Sequence, residues 1–480
     1  MIQTPLRTRL LASLLATSLF YGAPALAQDA PRPQRPSNEP QDFLKEPPKP
    51  ISIKGPFKLV LLGEQLYSHP VADRPDPEMQ KVFALTRSGD VTIANREGLI
   101  FDPATFKGQG YGSGMLWGEA ALGKDAKALG IDMMTLANNH ANDWGWEGLL
   151  ETKRLLNEAG VVTAGGGRDL SEARQAGILE TPKGKVALVG AASSFRANAN
   201  ANDRFQDVPA RPGISPLRLR KINLVTADQL DKIRTLATQL ASPLKPAPAA
   251  DAKEVTLGEE IYRLADKPGL HYEMDLYDHA GLLKAVRDAK QQSDLVVFTI
   301  HAHESPTGFD DDDPNPPDFL VTLAHDTVDA GADVFLGHGQ HGMRGIEIYK
   351  GKPVFYGIGA FFIRGEIKAL QESALRVFPD ASGHAPPPPK AERSVRPGGN
   401  PKSWYDGVVG VTEYDAKGKA TALKLYPLDL GNTYEPTRRG MPYFADAANA
   451  QRILKDLQTY SAPFGTKIEI DSSVGVIRLP

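Results

Sequence analysis

The chain has 480 residues, enough for a large buried core and, as a soft prior, roughly two to four domains. Its 55 basic and 58 acidic residues leave a formal net charge of −3, without the basic footprint of a nucleic-acid binder. There is no cysteine, which excludes disulfides, a thiolate nucleophile, thiolate zinc sites and a lipidated-cysteine anchor.

The N-terminus carries Arg7 and Arg9, an apolar run from Leu10 to Phe20, and the small-residue pattern Ala25-Leu26-Ala27. This reads as a signal peptide cleaved after Ala27, and so as a periplasmic or secreted protein. The apolar run is short for a spanning helix, and no long basic amphipathic helix follows it. No stable membrane insertion is expected after cleavage. Residues 28–54 are Pro-rich and polar and read as a flexible or extended leader outside the core.

From Phe57 onward, short apolar runs bounded by turn signals read as buried strands. The first, Lys58 to Leu62, ends in Gly63-Glu64. Val91 to Ala94 ends in Asn95-Arg96-Glu97, and Ile131 to Leu136 leads into Asn138-Asn139-His140, with Asn142 and Asp143 close behind. Lys185 to Val189 ends in small residues and Ser193-Ser194. Asp294 to Ile300 ends in His301-Ala302-His303-Glu304, and Asp333 to Leu336 ends in Gly337-His338-Gly339-Gln340-His341. Helical spacing lies between several of these runs, around 77–87, 118–129, 147–159, 278–290 and 318–330. Alternating strands and helices predict an α/β layered fold.

Residues 196–270 break the rhythm, with Arg211-Pro212-Gly213, a helix from about Thr226 to Leu240 and a Pro/Ala-rich patch over 243–250. They read as a helical insertion, either a lid or a surface decoration. The main domain spans 55–370, and a Pro-rich loop over 371–402 contains Pro386 to Pro389. A hairpin of Val408–Tyr414 and Ala420–Tyr426, then a helix over Ala445–Leu457, complete the domain within 403–480.

The functional signal is positional. Glu64, Glu97, Asn139, His140, His301 and His338 or His341 all stand just past apolar strands. In a sheet whose strands run the same way, those ends share one edge and their side chains meet in one cleft. Imidazole, carboxylate and amide oxygen together suit zinc, manganese or iron where no thiolate exists. Two such ions lower the pKa of a shared water and clamp an anionic substrate, and a nearby histidine can protonate the leaving group. If its strand continued, His303 would share a face with His301. The strand is taken to end first, so only His301 is assigned. Asp310 to Asp313 reads as a solvated acidic run.

These residues are similar to the CapA-type family of capsule or poly-γ-glutamate synthesis proteins, over roughly residues 57–365. The resemblance rests on Asn95-Arg96-Glu97, Ala137-Asn138-Asn139-His140 with Asp143-Trp144-Gly145, Ala164 to Gly167, Gly331-Ala332-Asp333, and Gly337 to His341 with Gly345 to Lys350. It implies a metallophosphatase-like (calcineurin-like) α/β/β/α sandwich and a metal-dependent hydrolase with two divalent ions. It makes Asn139, His301 and His341 metal ligands, with His338 the partner of His341, and Glu97 a further ligand or supporting carboxylate. His140 becomes the proton donor, with Asp143 assigned beside it, and Glu64 takes the place of the family's first-strand aspartate. The implied substrate is a phosphoester or an amide of an anionic cell-surface polymer, with capsule-synthesis proteins as partners. The alternative is a non-catalytic protein that binds or helps export such a polymer. Three positions differ from the family pattern: Glu64 for the aspartate, Gly339 for a histidine, and Ala360 for an asparagine.

Overall fold

Three parallel strands, β1 (Phe57–Leu66), β2 (Val91–Asn95) and β3 (Met133–Thr135), form the centre of the first of two large sheets. The computed structural model describes residues 47–110, 115–309, 312–364, 402–435 and 437–479. The signal-peptide reading and residues 371–401 of the Pro-rich loop lie outside them.

Val162–Ala164 extends the first sheet beside β3. On the other side of β1 runs the predicted hairpin, Asp406–Tyr414 and Ala420–Asp429, antiparallel to it. Near its end β1 also pairs with Ala360–Ile363. The second large sheet is built on β4 (Leu295–Ala302) and β5 (Val334–Gly339), parallel to each other and to Gly184–Ala192.

The site-bearing strands are therefore divided between two sheets, not aligned along one. Their apolar runs are nearly continuous because both faces of each strand are covered. Leu59 and Leu61 of β1, with Val91, Ile93 and Met133, share one core with Val186, Leu188, Leu295, Val297, Val334 and Leu336 of the second sheet. The alternate residues Val60, Leu62, Ala94 and Met134 point the other way. They meet Met79, Val82 and Phe83 of α1 (Pro77–Arg87), Leu122 of α2 (Leu122–Ala128), and Leu149 and Leu156 of α3 (Gly145–Glu158). Val296, Phe298, Ile300 and Phe335 likewise pack on Leu282, Leu283 and Val286 of α4 (Leu276–Gln292) and on Phe319, Leu320 and Leu323 of α5 (Asp318–Ala330).

Helix starts follow local chemistry. Asp76 accepts the amides of Glu78 and Met79 ahead of α1, and Pro77 occupies the first turn, where its missing N–H costs nothing. Asp275 caps α4 by accepting the Asp278 amide at 3.0 Å.

Two sequence expectations change. The insertion is not simply helical. Helix Ala227–Gln239 packs on a four-stranded sheet of Glu254–Leu257, Glu260–Leu264, Leu219–Val225 and Gly269–Met274. Those strands are half-exposed and mix charged with apolar residues, so they lack the buried-strand signal. The insertion is anchored through Tyr272. Its hydroxyl donates to the carbonyls of Ser305 and Gly308, each at 3.1 Å, and its ring meets Phe319. The Pro-rich leader, too, ends inside the core: Ile53 is buried, and the amides of Ser52 and Lys54 donate to Asp294 and Lys183 carbonyls. Extended chain alternates its side chains, so even a Pro-rich segment can place one residue inward.

Candidate metal centre

The turn after β3 is built by its own amides. Asn138 Oδ1 accepts the His140 amide at 3.0 Å, and Asn138 Nδ2 donates to the Arg96 carbonyl at 2.7 Å. This ties the turn to the end of β2 and projects Asn139 and His140 forward. His140 Nδ1 lies 2.7 Å from Asp143 Oδ2, an oxygen that also accepts the Leu116 amide at 2.6 Å. His140 Nε2 then faces Glu97 Oε1 at 3.7 Å. Arg196, at the start of the insertion, reaches Asp143 Oδ1 at 3.2 Å.

Contacts between the sheets complete the centre. Glu64 Oε1 accepts the Gly339 amide at 2.7 Å, and Glu64 Oε2 lies 2.5 Å from His341 Nδ1. His301 Nδ1 sits 3.2 Å from Asn95 Nδ2 and 3.4 Å from Glu64 Oε1. His301 Nε2 and His303 Nε2 approach to 3.1 Å, and Asn139 Nδ2 lies 3.2 Å from His303 Nε2.

Two overlapping triads result: Glu97, His301 and His303, and Glu64, Glu97 and His341. Within each, the ligand atoms lie within 4.8 Å of one another. Both oxygens of Glu97 and the Oδ1 of Asn139 are buried without a hydrogen-bond partner. A buried carboxylate in that state is costly unless something compensates it. Burial first, then the neighbouring Glu64 carboxylate, push Glu97 up to about 8. Burial, then the surrounding histidines, hold His301 well below its ordinary value. Divalent cations among these atoms would reverse both penalties, and nitrogen and oxygen donors of this kind fit zinc, manganese or iron.

The structure thus brings together Glu64, Glu97, Asn139, His140, Asp143, His301 and His341. It does not bring His338 into the ligand set. Thr299 Oγ1, on the neighbouring strand of the same sheet, meets its Nδ1 at 3.0 Å, and the Leu62 carbonyl of the other sheet meets its Nε2 at 3.2 Å, so both ring nitrogens are engaged. His303, left out by the sequence reading, is in the set. β4 ends at Ala302, but the His303 amide donates to Ser194 Oγ at 2.7 Å, and this holds the next residue in place. The His-x-His spacing was the available signal. Asn95 was also missed as a contact of His301. In the acidic run, residues 310–311 lie outside the described residues. Asp313 serves a local turn, accepting from Asn315.

The departure at Gly339 has a steric reason. Its φ is +120°, and a Cβ there would come within 2.7 Å of the Ala302 backbone. No histidine fits at this position, and the free amide holds Glu64 instead. His341, a member of one triad, adopts φ +59°, an uncommon backbone for a non-glycine residue and one that collects at functional sites.

Burial pushes the His338 imidazole down to about 4. A base with a lowered folded pKa takes up its proton more readily in the unfolded chain, so acid favours unfolding below the ordinary value near 6.5. Chemical denaturation should show wild-type stability falling between pH 7 and pH 5 by about 2 kcal/mol more than His338→Gln does. Equal losses would mean that His338 is not held neutral.

The family described as "Bacterial capsule synthesis protein PGA_cap" matches residues 58–364. The chain belongs to this capsule synthesis family. Protein y4sH of Sinorhizobium fredii is 37% identical over 438 residues, covering 88% of this chain and 93% of that one. A probable polyglutamine synthesis accessory protein of Mycobacterium tuberculosis is 28% identical over 233 residues, 48% of this chain and 45% of its own. The capsule biosynthesis protein CapA of Bacillus anthracis is 25% identical over 252 residues, 52% of this chain and 45% of its own. The family match covers every residue of the two triads. No helix among the described residues is long and apolar enough to cross a membrane.

Proposed function

We propose that this capsule synthesis family member is a metal-dependent hydrolase of metallophosphatase type, with α/β/β/α layering, working in the periplasm or outside the cell. The observation that carries this reading is Glu97. It is shared by two histidine-containing triads, and both its oxygens are buried without hydrogen-bond partners. Glu97, His301 and His303, with Asn139, would hold one ion, and Glu64, Glu97 and His341 the other. Bound there, the ions would supply Lewis acidity towards an anionic substrate and activate water.

The protein's own groups take the remaining roles. Asp143 accepts from His140 Nδ1, which fixes the ring and leaves Nε2 directed at the centre. From there a protonated His140 can donate to a leaving oxygen or nitrogen. Arg196 adds a positive charge beside Asp143, half open to solvent, where an anionic substrate would approach. The substrate class this supports is a phosphoester or an amide of an anionic cell-surface polymer such as poly-γ-glutamate. The test is a screen of the manganese-, zinc- or iron-loaded protein against phosphoesters and γ-glutamyl polymer, with turnover of one class expected. If the loaded protein cleaves neither class, the hydrolase reading fails and polymer binding without catalysis takes its place.

A further inference from the structure

Ser193-Ser194 and Glu304 stand at the same strand ends as the two triads and belong to neither. Strand Gly184–Ala192 pairs with β4 as far as Ala192 and His301, and β5 pairs with it as far as Gly339 and Ala302. One more backbone bond follows, from the Ser193 amide to the His301 carbonyl at 3.0 Å. His303 lies beyond these ladders, and side chains have to place it.

They do so through one carboxylate oxygen. Ser194 Oγ accepts the His303 amide at 2.7 Å and donates to Glu304 Oε2 at 2.9 Å. Ser193 Oγ donates to the same oxygen at 2.8 Å. A serine hydroxyl has one hydrogen and rotates to suit its partners. Glu304 Oε2 takes that hydrogen, which leaves a lone pair of Ser194 Oγ facing the His303 amide. On the other side, the fully buried Arg344 donates from Nη2 to the Glu304 carbonyl at 2.7 Å. Tyr272 holds the next carbonyl, that of Ser305. The backbone is thus fixed on both sides of the His303–Glu304 peptide. The other triad is held by different contacts, the Gly339 amide on Glu64 and Glu64 on His341.

We infer that Glu304 is a positioning residue for the candidate ligand His303: by directing the Ser194 hydroxyl, it fixes the backbone that presents this imidazole to one of the two ions. The inference rests on the proposed metal centre. A metal ligand has to be held within about 0.5 Å of its working geometry, and the groups that hold it typically contribute roughly 10- to 100-fold in affinity.

The test is titration of the metal-free full chain with zinc in competition with a chelating dye, which should resolve two ions in wild type. Glu304→Ala and Ser194→Ala should each weaken one ion by about 10- to 100-fold and leave the other unchanged. The double variant should bind no more weakly than Ser194→Ala, because residues that act through one contact are not additive. Glu304→Gln keeps a side-chain carbonyl that can accept both hydroxyls, and it should restore most of the affinity. Ser194→Ala removes a single atom and keeps the test decisive should Glu304→Ala fail to fold. The inference is overturned if the variants bind both ions as wild type does, or if both ions weaken together. It also falls if the two losses add, or if Glu304→Gln binds no better than Glu304→Ala. Those outcomes leave the metal centre standing, whereas a wild type that takes up no ion overturns the metal centre and this inference with it.

Discussion

Elemental analysis of the protein purified without chelator should give about two divalent ions per chain, and His301→Ala/His341→Ala close to none. Each substitution removes one of the three closely spaced candidate ligands of a different triad and leaves each triad with two, fewer than a protein metal site ordinarily needs. The variant also keeps the buried Glu97 and Glu64 carboxylates with less compensation. Its far-ultraviolet dichroism should therefore be compared with that of wild type, to separate loss of metal from loss of fold. Added zinc or manganese should raise the melting temperature of wild type and leave the variant unmoved, since a ligand bound only by the native state stabilises that state. A wild type that stays free of metal after loading with manganese, zinc and iron would show that the triads do not form a metal centre.

The second large effect is on turnover. His140→Ala should lower the rate on the best substrate by about 10²- to 10⁴-fold, the usual worth of a positioned general acid. Metal content should stay near the wild-type value, because His140 belongs to neither triad. Asp143→Asn should lower the rate in the same direction. An amide in place of the carboxylate changes which hydrogen His140 Nδ1 can share, while the side chain keeps its size. Asp143→Ala is the poorer probe, since the buried carboxylate also accepts the Leu116 amide. Full turnover in His140→Ala with metal retained would remove His140 from catalysis.

Much of this architecture was legible from pattern. The predicted helices over 77–87 and 318–330 match Pro77–Arg87 and Asp318–Ala330, because apolar spacing and the turn residues around them agree there. The strands β1, β2, β4 and β5 read as buried runs for a related reason: two covered faces leave little room for polar residues. The inserted strands over 219–274 were not legible, since half-exposed strands carry charged side chains on one face.

The candidate ligand set divides along similar lines. Glu64, Glu97, Asn139, His301 and His341 could be named because each follows an apolar run, and the ends of parallel strands are where side chains converge. His338 and His303 follow such runs equally well, and the sequence reading assigned the first and left out the second. Only packing separates them: the Leu62 carbonyl and Thr299 occupy both nitrogens of one, while Ser194 turns the other towards Glu97. The contacts of Glu64 with Gly339 and His341 across the two sheets were likewise decided by the tertiary structure alone. Periodicity records which residues avoid water. It does not record which hydrogen-bond partners remain once two sheets have closed face to face, and in this protein those partners decide which histidines remain available to a metal.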